Sequence, residues 1–273
     1  MPTIIANNYS MNYELDDFTA PWRQHDTIWI QHGLGRNLRF WSHWIPLLGG
    51  NLRVLRRDMR GHGGSADPGP DHQWSVEELL LDMKGFLDAL GLEQVHYLGE
   101  SIGGTLGIAF AIRWPERFKS LTLMASGPSV PASLQKLFAL GYEDWSTALG
   151  KLGSAGWARA LMESGGILIG GDPARSQWVI DEWGRIPTHV LQGMCRVVPT
   201  IDLAPVLSQI KVPTLIVAPA NSAIGPLSDA VMMRDAIPNA RIAVIDGKGH
   251  EIYVDEAEAC AGAILRFIEG LAN

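Results

Sequence analysis

A serine flanked by glycines lies between an apolar strand-like segment and an apolar helix-like segment. Residues 99–104 read GESIGG, preceded by QVHYL and followed by TLGIAFAI. Glycines two positions before and after the serine leave room for a sharp turn. A strand–turn–helix context is typical of a nucleophile elbow, whose strained backbone exposes the serine hydroxyl. The N-terminus of the new helix places backbone N–H groups where an oxyanion can form. We therefore predict that Ser101 is a catalytic nucleophile.

The segments around this serine alternate between strand-like and helix-like patterns, which is typical of a parallel sheet covered by helices. Residues 4–8 and 11–15 are predicted to form a short N-terminal hairpin. The other predicted strands are residues 27–31, 53–57, 94–98, 120–124, 212–218 and 241–245. The predicted helices are residues 38–48, 75–90, 102–113, 227–236 and 256–271, the second of which opens on a capping box.

The strand-like patterns disappear between residue 127 and about residue 198, where helical patterns dominate. The alternation of strands and helices resumes after that segment. We therefore expect one α/β core, built from residues 1–128 and 199–273, that is interrupted by a helical insertion of residues 129–198.

Composition and charge exclude several classes of protein. The two cysteines, Cys195 and Cys260, are 65 positions apart in a chain of 273 residues, which excludes a disulfide framework or a zinc ribbon. The net charge of −7 and the absence of a basic cluster exclude a typical nucleic-acid binder. No apolar run reaches the roughly 18 residues of a membrane span, and the first ten residues lack the features of a signal peptide. We expect a cytoplasmic protein with neither nucleic acid nor membrane as a partner.

Several further motifs extend the pattern around the serine along the chain. They are HGLG at 32–35, DMRGHG at 58–63, KVPTL at 211–215 and GKGH at 247–250. Together with GESIGG, they resemble the α/β-hydrolase superfamily over nearly the whole chain. The first half is most similar to 3-oxoadipate enol-lactonases and related small esterases and lactonases. The resemblance implies an α/β-hydrolase fold, with a mostly parallel central sheet flanked by helices and an inserted helical cap.

The resemblance also implies an oxyanion hole and a base. The backbone N–H groups of Leu34 and Ile102 would form the hole, since both residues follow strands whose carboxyl ends meet at one edge of the sheet. His250 comes 149 positions after Ser101, in the family order of serine, acid and histidine. A neutral imidazole near pH 7 is suited to take the serine proton and return it to the leaving group.

The acid of this triad is missing from its usual position. The family pattern aligns without gaps to residues 213–222, and Ser222 stands in the place of the aspartate. Asp229 and Asp246 fall on a predicted helix and a predicted strand end, and residues 125–127 contain no carboxylate. We predict that Ser222 orients the ring of His250 by accepting its N–H. The alternatives are a carboxylate from elsewhere in the fold and a protein with weakened catalysis.

In this fold, the insertion would cover the nucleophile as a cap. Its tryptophans either line an apolar pocket, with Met162 and Met194, or pack within the cap, which is commoner for aromatic residues of a small helical layer. They are Trp145, Trp157, Trp178 and Trp183. An apolar pocket would favour an aromatic, alicyclic or long-chain substrate.

The expected activity is hydrolysis of a carboxylic ester or lactone of a largely apolar small molecule through an acyl-Ser101 intermediate. No phosphate-binding loop is present, since residues 61–65 lack its Lys-Ser/Thr ending, so neither a cofactor nor a metal is expected. Two alternatives share the same fold. One is carbon–carbon bond hydrolysis or cofactor-free oxygenation, whose families normally retain the carboxylate. The other is a ligand-binding protein with little turnover.

Overall fold

An eight-stranded sheet forms the centre of the protein in the computed structural model. The structure describes residues 2–165, 172–222 and 225–271, and for Lys248 it describes the backbone alone. The strands are β1 (Thr3–Ala6), β2 (Tyr9–Asp16), β3 (Thr27–Gln31), β4 (Arg53–Arg57), β5 (Val95–Glu100), β6 (Phe118–Met124), β7 (Thr214–Asn221) and β8 (Arg241–Lys248). Their order across the sheet is β1-β2-β4-β3-β5-β6-β7-β8. Strand β2 pairs antiparallel with β1 and β4, and all neighbours from β4 to β8 are parallel.

The mostly parallel sheet predicted from the alternating pattern is confirmed. Every residue of β3 and β5 is buried, as expected for central strands that helices cover on both faces. These two strands are parallel neighbours, so their carboxyl ends meet at one edge of the sheet. The turn that follows β5 and the loop that follows β3 therefore lie side by side, and this adjacency positions the predicted site.

Helices make up the rest of the regular structure. The α-helices are α1 (Ile45–Leu48), α2 (Val76–Ala89), α3 (Ile102–Arg113), α4 (Ala132–Phe138), α5 (Trp145–Glu163), α6 (Pro173–Gly184), α7 (Thr188–Val197), α8 (Leu227–Ala236), α9 (Ile252–Asp255) and α10 (Ala257–Glu269). The 3-10 helices are Leu38–Trp44, Pro115–Arg117, Val198–Thr200 and Ala204–Gln209.

Two predicted helices agree only in part with the structure. The helix predicted over residues 38–48 divides into the 3-10 helix Leu38–Trp44 and α1, because Pro46 stands in the first turn of α1 and has no backbone N–H to donate. The predicted C-terminal helix is α10, which the short helix α9 precedes. Helix α2 begins as predicted, with the Ser75 hydroxyl accepting the backbone N–H of Glu78 at 3.1 Å.

Helices α4 to α7 stand between β6 and β7, within the predicted insertion. Trp145 and Trp157 are buried among them: the ring of Trp145 stacks on Phe138 at 5.5 Å, and the indole N–H of Trp157 donates to the carbonyl of Phe138 at 2.8 Å. On α6, Trp178 and Trp183 contact the segment that follows β3, and Trp183 also packs on Trp157 with ring centroids 5.3 Å apart. Two of the four tryptophans therefore pack within the helical layer, Trp178 contacts the β3 side, and Trp183 contacts both.

Candidate active site

Ser101 occupies the turn between β5 and α3 with strained backbone angles. Its φ is 53° and its ψ is −124°, a conformation that a residue with a side chain rarely adopts and that typically costs about 1–3 kcal/mol. The surrounding backbone holds the turn, since the N–H of Ser101 donates to the carbonyl of Met124 at 3.1 Å and its carbonyl accepts from Gly104 and Thr105. The half-buried side chain makes no capping hydrogen bond to α3, so its hydroxyl is not used to hold the helix.

The start of α3 packs directly on the end of β3. A Cβ atom added at Gly103 would lie only 2.5 Å from the backbone carbonyl oxygen of Gln31. Only glycine therefore allows the helix this approach. The glycine pattern around the serine is explained by this packing together with the strained turn.

The loop after β3 (residues 32–37, the β3 loop) lies beside this turn. The N–H of Arg36 donates to the carbonyl of Gly33 at 3.3 Å, and Gly35 has a φ of 74° beneath the indole ring of Trp183, where a Cβ would overlap the ring. The backbone N–H groups of Leu34 and Ile102 donate to no atom of the residues that the structure describes. Both N–H groups predicted to bind an oxyanion are therefore unpaired.

His32 belongs to the framework of the β3 loop. Its Nε2 accepts the backbone N–H of Met59 at 2.9 Å, and its Nδ1 lies 2.8 Å from the carbonyl oxygen of Gly33. Burial holds the pKa of His32 well below its ordinary value. A buried, neutral ring with both nitrogens engaged holds the loop in place.

Glu100, the last residue of β5, was not among the predicted site residues. Its side chain is buried, its Oε2 accepts the backbone N–H of Gly33 at 2.6 Å, and its Oε1 lies 3.4 Å from Nε2 of His250. One carboxylate thus touches both the β3 loop and the predicted base. The available signal was an acidic residue at the end of an otherwise apolar central strand, since burial of an acid demands partners.

The structure brings Ser222 and His250 to the ends of the neighbouring strands β7 and β8. Nδ1 of His250 is buried and has no hydrogen-bond partner among the described residues, and the orienting role of Ser222 stays a prediction. The register between the two strands is irregular at this point. Strand β8 has one residue more than β7 between the pairs Pro219–Ile245 and Asn221–Lys248, and such a slip changes the face that following side chains take.

Other groups considered from the sequence stand apart from this cluster. Asp229 on α8 and Asp246 in β8 are both exposed. Burial raises the pKa of the free thiols of Cys195 and Cys260, that of Cys260 to about 12. Within the three described ranges, no group of three or more His, Cys, Asp or Glu side chains could hold a metal ion. In those same ranges no helix is both long and apolar enough to cross a lipid bilayer.

Comparison with known proteins identifies the architecture. Residues 26–148 match a family described as alpha/beta hydrolase fold. The crystal structure of the enol-lactonase from Burkholderia xenovorans LB400 superposes with a TM-score of 0.82 at 23% identity, covering 98% of this chain and 100% of that one. This chain has the α/β-hydrolase fold. The resemblance inferred from the sequence motifs is thereby confirmed.

Two curated relatives of this α/β-hydrolase-fold chain match over most of their length. A putative carbamate hydrolase RutD from Caulobacter sp. (strain K31) is 26% identical over 265 residues, which cover 93% of this chain and 94% of the relative. The 3-oxoadipate enol-lactonase 2 of Acinetobacter baylyi (strain ATCC 33305 / BD413 / ADP1) is 24% identical over 267 residues, covering 96% and 94% respectively. The names of these relatives refer to hydrolases of different substrates.

Proposed function

We propose that the protein is a serine hydrolase that cleaves a carboxylic ester or lactone of a largely apolar small molecule through an acyl-serine intermediate. The observation that carries the proposal is the strained turn at Ser101. The Ser101 hydroxyl makes no capping hydrogen bond, and the turn lies beside the N–H groups of Leu34 and Ile102, which have no partner among the described residues. His250 follows the end of β8 and faces the carboxylate of the residue before the serine. These are the parts that acyl transfer requires.

The proposed reaction proceeds in two halves. His250 takes the proton of the Ser101 hydroxyl while Oγ attacks the substrate carbonyl carbon, and the carbonyl oxygen becomes an oxyanion that accepts the N–H groups of Leu34 and Ile102. The tetrahedral intermediate collapses, the bond to the leaving oxygen breaks, and the imidazolium donates its proton to that oxygen. A water molecule then repeats the sequence on the acyl-serine, giving the carboxylic acid and free Ser101.

In this mechanism, the carboxylate of Glu100 supplies the negative charge that the acid of a catalytic triad supplies in other serine hydrolases. A triad acid both orients the histidine and stabilises the imidazolium that forms in the transition state. Glu100 is buried, and its Oε1 lies 3.4 Å from Nε2 of His250, so it attracts the imidazolium strongly. This corresponds to the alternative in which a carboxylate arrives from elsewhere in the fold. Ser222 remains the competing candidate for an orienting role, and substitution separates the two.

An apolar substrate is supported by the rings that surround the β3 loop. Trp183 lies over Gly35, and the ring of Trp178 lies 4.5 Å from that of Phe40, which follows the loop. A carbamate ester is a second candidate, favoured by the name of the Caulobacter relative, because attack of Ser101 on its carbonyl carbon would expel the alcohol and leave a carbamoyl-serine for water to hydrolyse.

The test is a panel of p-nitrophenyl esters, lactones and carbamates assayed with the wild type and with Ser101→Ala, Glu100→Gln and Ser222→Ala. We expect a burst of one p-nitrophenol per Ser101 with the esters, an acyl adduct on Ser101 in mass spectra, and loss of both in Ser101→Ala. A wild type that turns over no panel member faster than Ser101→Ala overturns the proposal. Turnover unchanged in Ser222→Ala removes Ser222 from the mechanism.

A further inference from the structure

We propose that the buried ion pair between Arg36 and Glu251 is a positioning device. It holds the segment that carries His250 (residues 249–253, the β8 loop) against the β3 loop. In this way it does the orienting that a triad acid does in other hydrolases. The inference rests on the proposed function, in which His250 is the base.

Aromatic rings fix the position of the Arg36 side chain that binds Glu251. Its guanidinium is buried between two aromatic rings, with Cζ 5.2 Å from the ring of Phe40 and 5.2 Å from that of Trp183. Its Nη2 donates to Oε1 of Glu251, and its Nε donates to the hydroxyl of Tyr253 at 3.1 Å. One planar side chain of the β3 loop therefore makes two directed bonds to the β8 loop, a geometry that lysine does not offer.

The pair is charged in the folded protein. Burial favours the neutral form of Glu251, but the charge of Arg36 together with the hydrogen bonds from Arg36 and Tyr253 helps to hold the pKa of Glu251 below its ordinary value. Removing one partner leaves the other as an uncompensated buried charge, so either single substitution disturbs both loops.

Aromatic contacts secure the far end of the same segment. The ring of Tyr253 stacks on Trp41 at 4.7 Å with an angle of 20° between the planes. The indole N–H of Trp44 donates to the carbonyl of Tyr253 at 2.7 Å, and Nε2 of His43 lies 3.0 Å from that oxygen. The 3-10 helix that follows the β3 loop thus binds the start of α9.

The ion pair joins the two loops close to the proposed reacting groups, beside the direct contact of Glu100 with His250. Arg36 is two residues from Leu34, whose N–H is to bind the oxyanion, and Glu251 is the residue next to His250. Because Nδ1 of His250 has no partner among the described residues, no bond at that nitrogen orients the ring. The position of the ring relative to the β3 loop therefore depends on how the β8 loop is held.

The decisive variants are Glu251→Gln, Arg36→Gln and the double variant that carries both changes. A misplacement of the base by about 1 Å lowers the rate by up to about 100-fold, so we expect kcat of Glu251→Gln to fall about 10- to 100-fold while KM changes little. The double variant should lose no more than Arg36→Gln alone, since its two amides can bond to each other. Turnover is expressed per Ser101 that reacts with a fluorophosphonate.

Asp82→Asn is the matched control. Asp82 and Arg60 form a pair that is equally buried, with an Nη2–Oδ1 distance of 2.6 Å, and neither residue contacts His250. Glu251→Gln and Asp82→Asn should lower the melting temperature to a similar degree, whereas only Glu251→Gln should lower kcat. If a folded Glu251→Gln variant has the kcat of Asp82→Asn, the pair is merely structural and the inference is overturned.

A second readout is independent of turnover. Among the described side chains, two charged groups face His250: Glu100 from β5 and Glu251 from the β8 loop. Beside Glu251, Arg36 and Tyr253 are bonded to each other. The side chain of Lys248 is outside the described part of the structure. Loosening the β8 loop changes the surroundings of the His250 ring, so its signals in histidine-labelled NMR spectra should shift or broaden in Glu251→Gln and keep their wild-type positions in Asp82→Asn.

The two readouts distinguish the inference from the proposed function. Absence of Ser101-dependent turnover in the wild type overturns the proposed function, and the NMR spectra still report whether the ion pair positions the His250 ring. Unchanged ring signals in Glu251→Gln, as expected for Asp82→Asn, overturn the inference even where the esters are hydrolysed.

Discussion

The substitution Glu100→Gln tests whether the charge of this buried side chain acts on the base. An amide keeps the size of the carboxylate, and its oxygen can still accept the N–H of Gly33, which Oε2 of Glu100 now accepts at 2.6 Å. What the substitution removes is the negative charge beside His250. The β3 loop should therefore keep its conformation while the imidazolium of the transition state loses its counter-charge.

The size of the effect follows from the separation of the two groups. Unit charges at the 3.4 Å that separate Oε1 of Glu100 from Nε2 of His250 attract by about 5 kcal/mol at an effective dielectric constant of about 20. The histidine side chain is 15% exposed and the amide dipole retains part of the attraction, so about half of this should be lost. A loss of about 2–3 kcal/mol corresponds to a decrease in kcat of about 30- to 150-fold.

The assay is steady-state hydrolysis of a p-nitrophenyl ester, with Ser101 titrated by a fluorophosphonate to count competent sites. Because the lost interaction strengthens only when the imidazolium forms, kcat should fall while KM changes by less than about threefold.

Glu182→Gln is the matched control for this substitution. Glu182 is also buried, and it holds the β3 loop from the side of α6 by accepting the side-chain N–H of Asn37 at 2.6 Å. A kcat for Glu100→Gln within threefold of that of Glu182→Gln would refute the reasoning, because the contact of Glu100 with the β3 loop would then explain its whole effect on kcat.

Three further predictions concern stability. Burial lowers the pKa of His62 to about 4. As the pH falls, the unfolded chain therefore protonates this histidine before the folded protein does. About 3 kcal/mol of folding stability, fully present above about pH 6.5, should be lost as the pH falls to about 4. Urea unfolding of His62→Asn should depend less on pH over this range, and an unchanged dependence would contradict the assignment. Gly103→Ala forces a Cβ against the carbonyl of Gln31 and should cost about 1–3 kcal/mol, a decrease in melting temperature of several degrees, whereas Gly50→Ala meets open space and should not. Ser75→Ala removes the cap of α2 and should cost about 1 kcal/mol in chemical denaturation, with no change in ester turnover.

Local features of this protein were predictable from its sequence because they depend on local physics. The central strands are short segments rich in apolar residues, and the strained turn at Ser101 follows from glycines two residues on either side of it. The cap at Ser75 depends on a bond to a residue three positions away. In each case the interacting groups lie within one turn or strand, so residue types and spacing suffice to predict the structure.

The arrangement around His250 was decided only by the tertiary structure. Glu100 meets His250 because β5 and β8 end at the same edge of the sheet, and Arg36 bonds to Glu251 across 215 positions of sequence. The same limit applies to Ser222: a gapless alignment assumes a regular strand, whereas the register between β7 and β8 slips by one residue, and its orienting role stays a prediction. Sequence alone determined the turn that carries Ser101. Which carboxylates surround His250 depends on strand order and register, and neither leaves a local pattern in the chain.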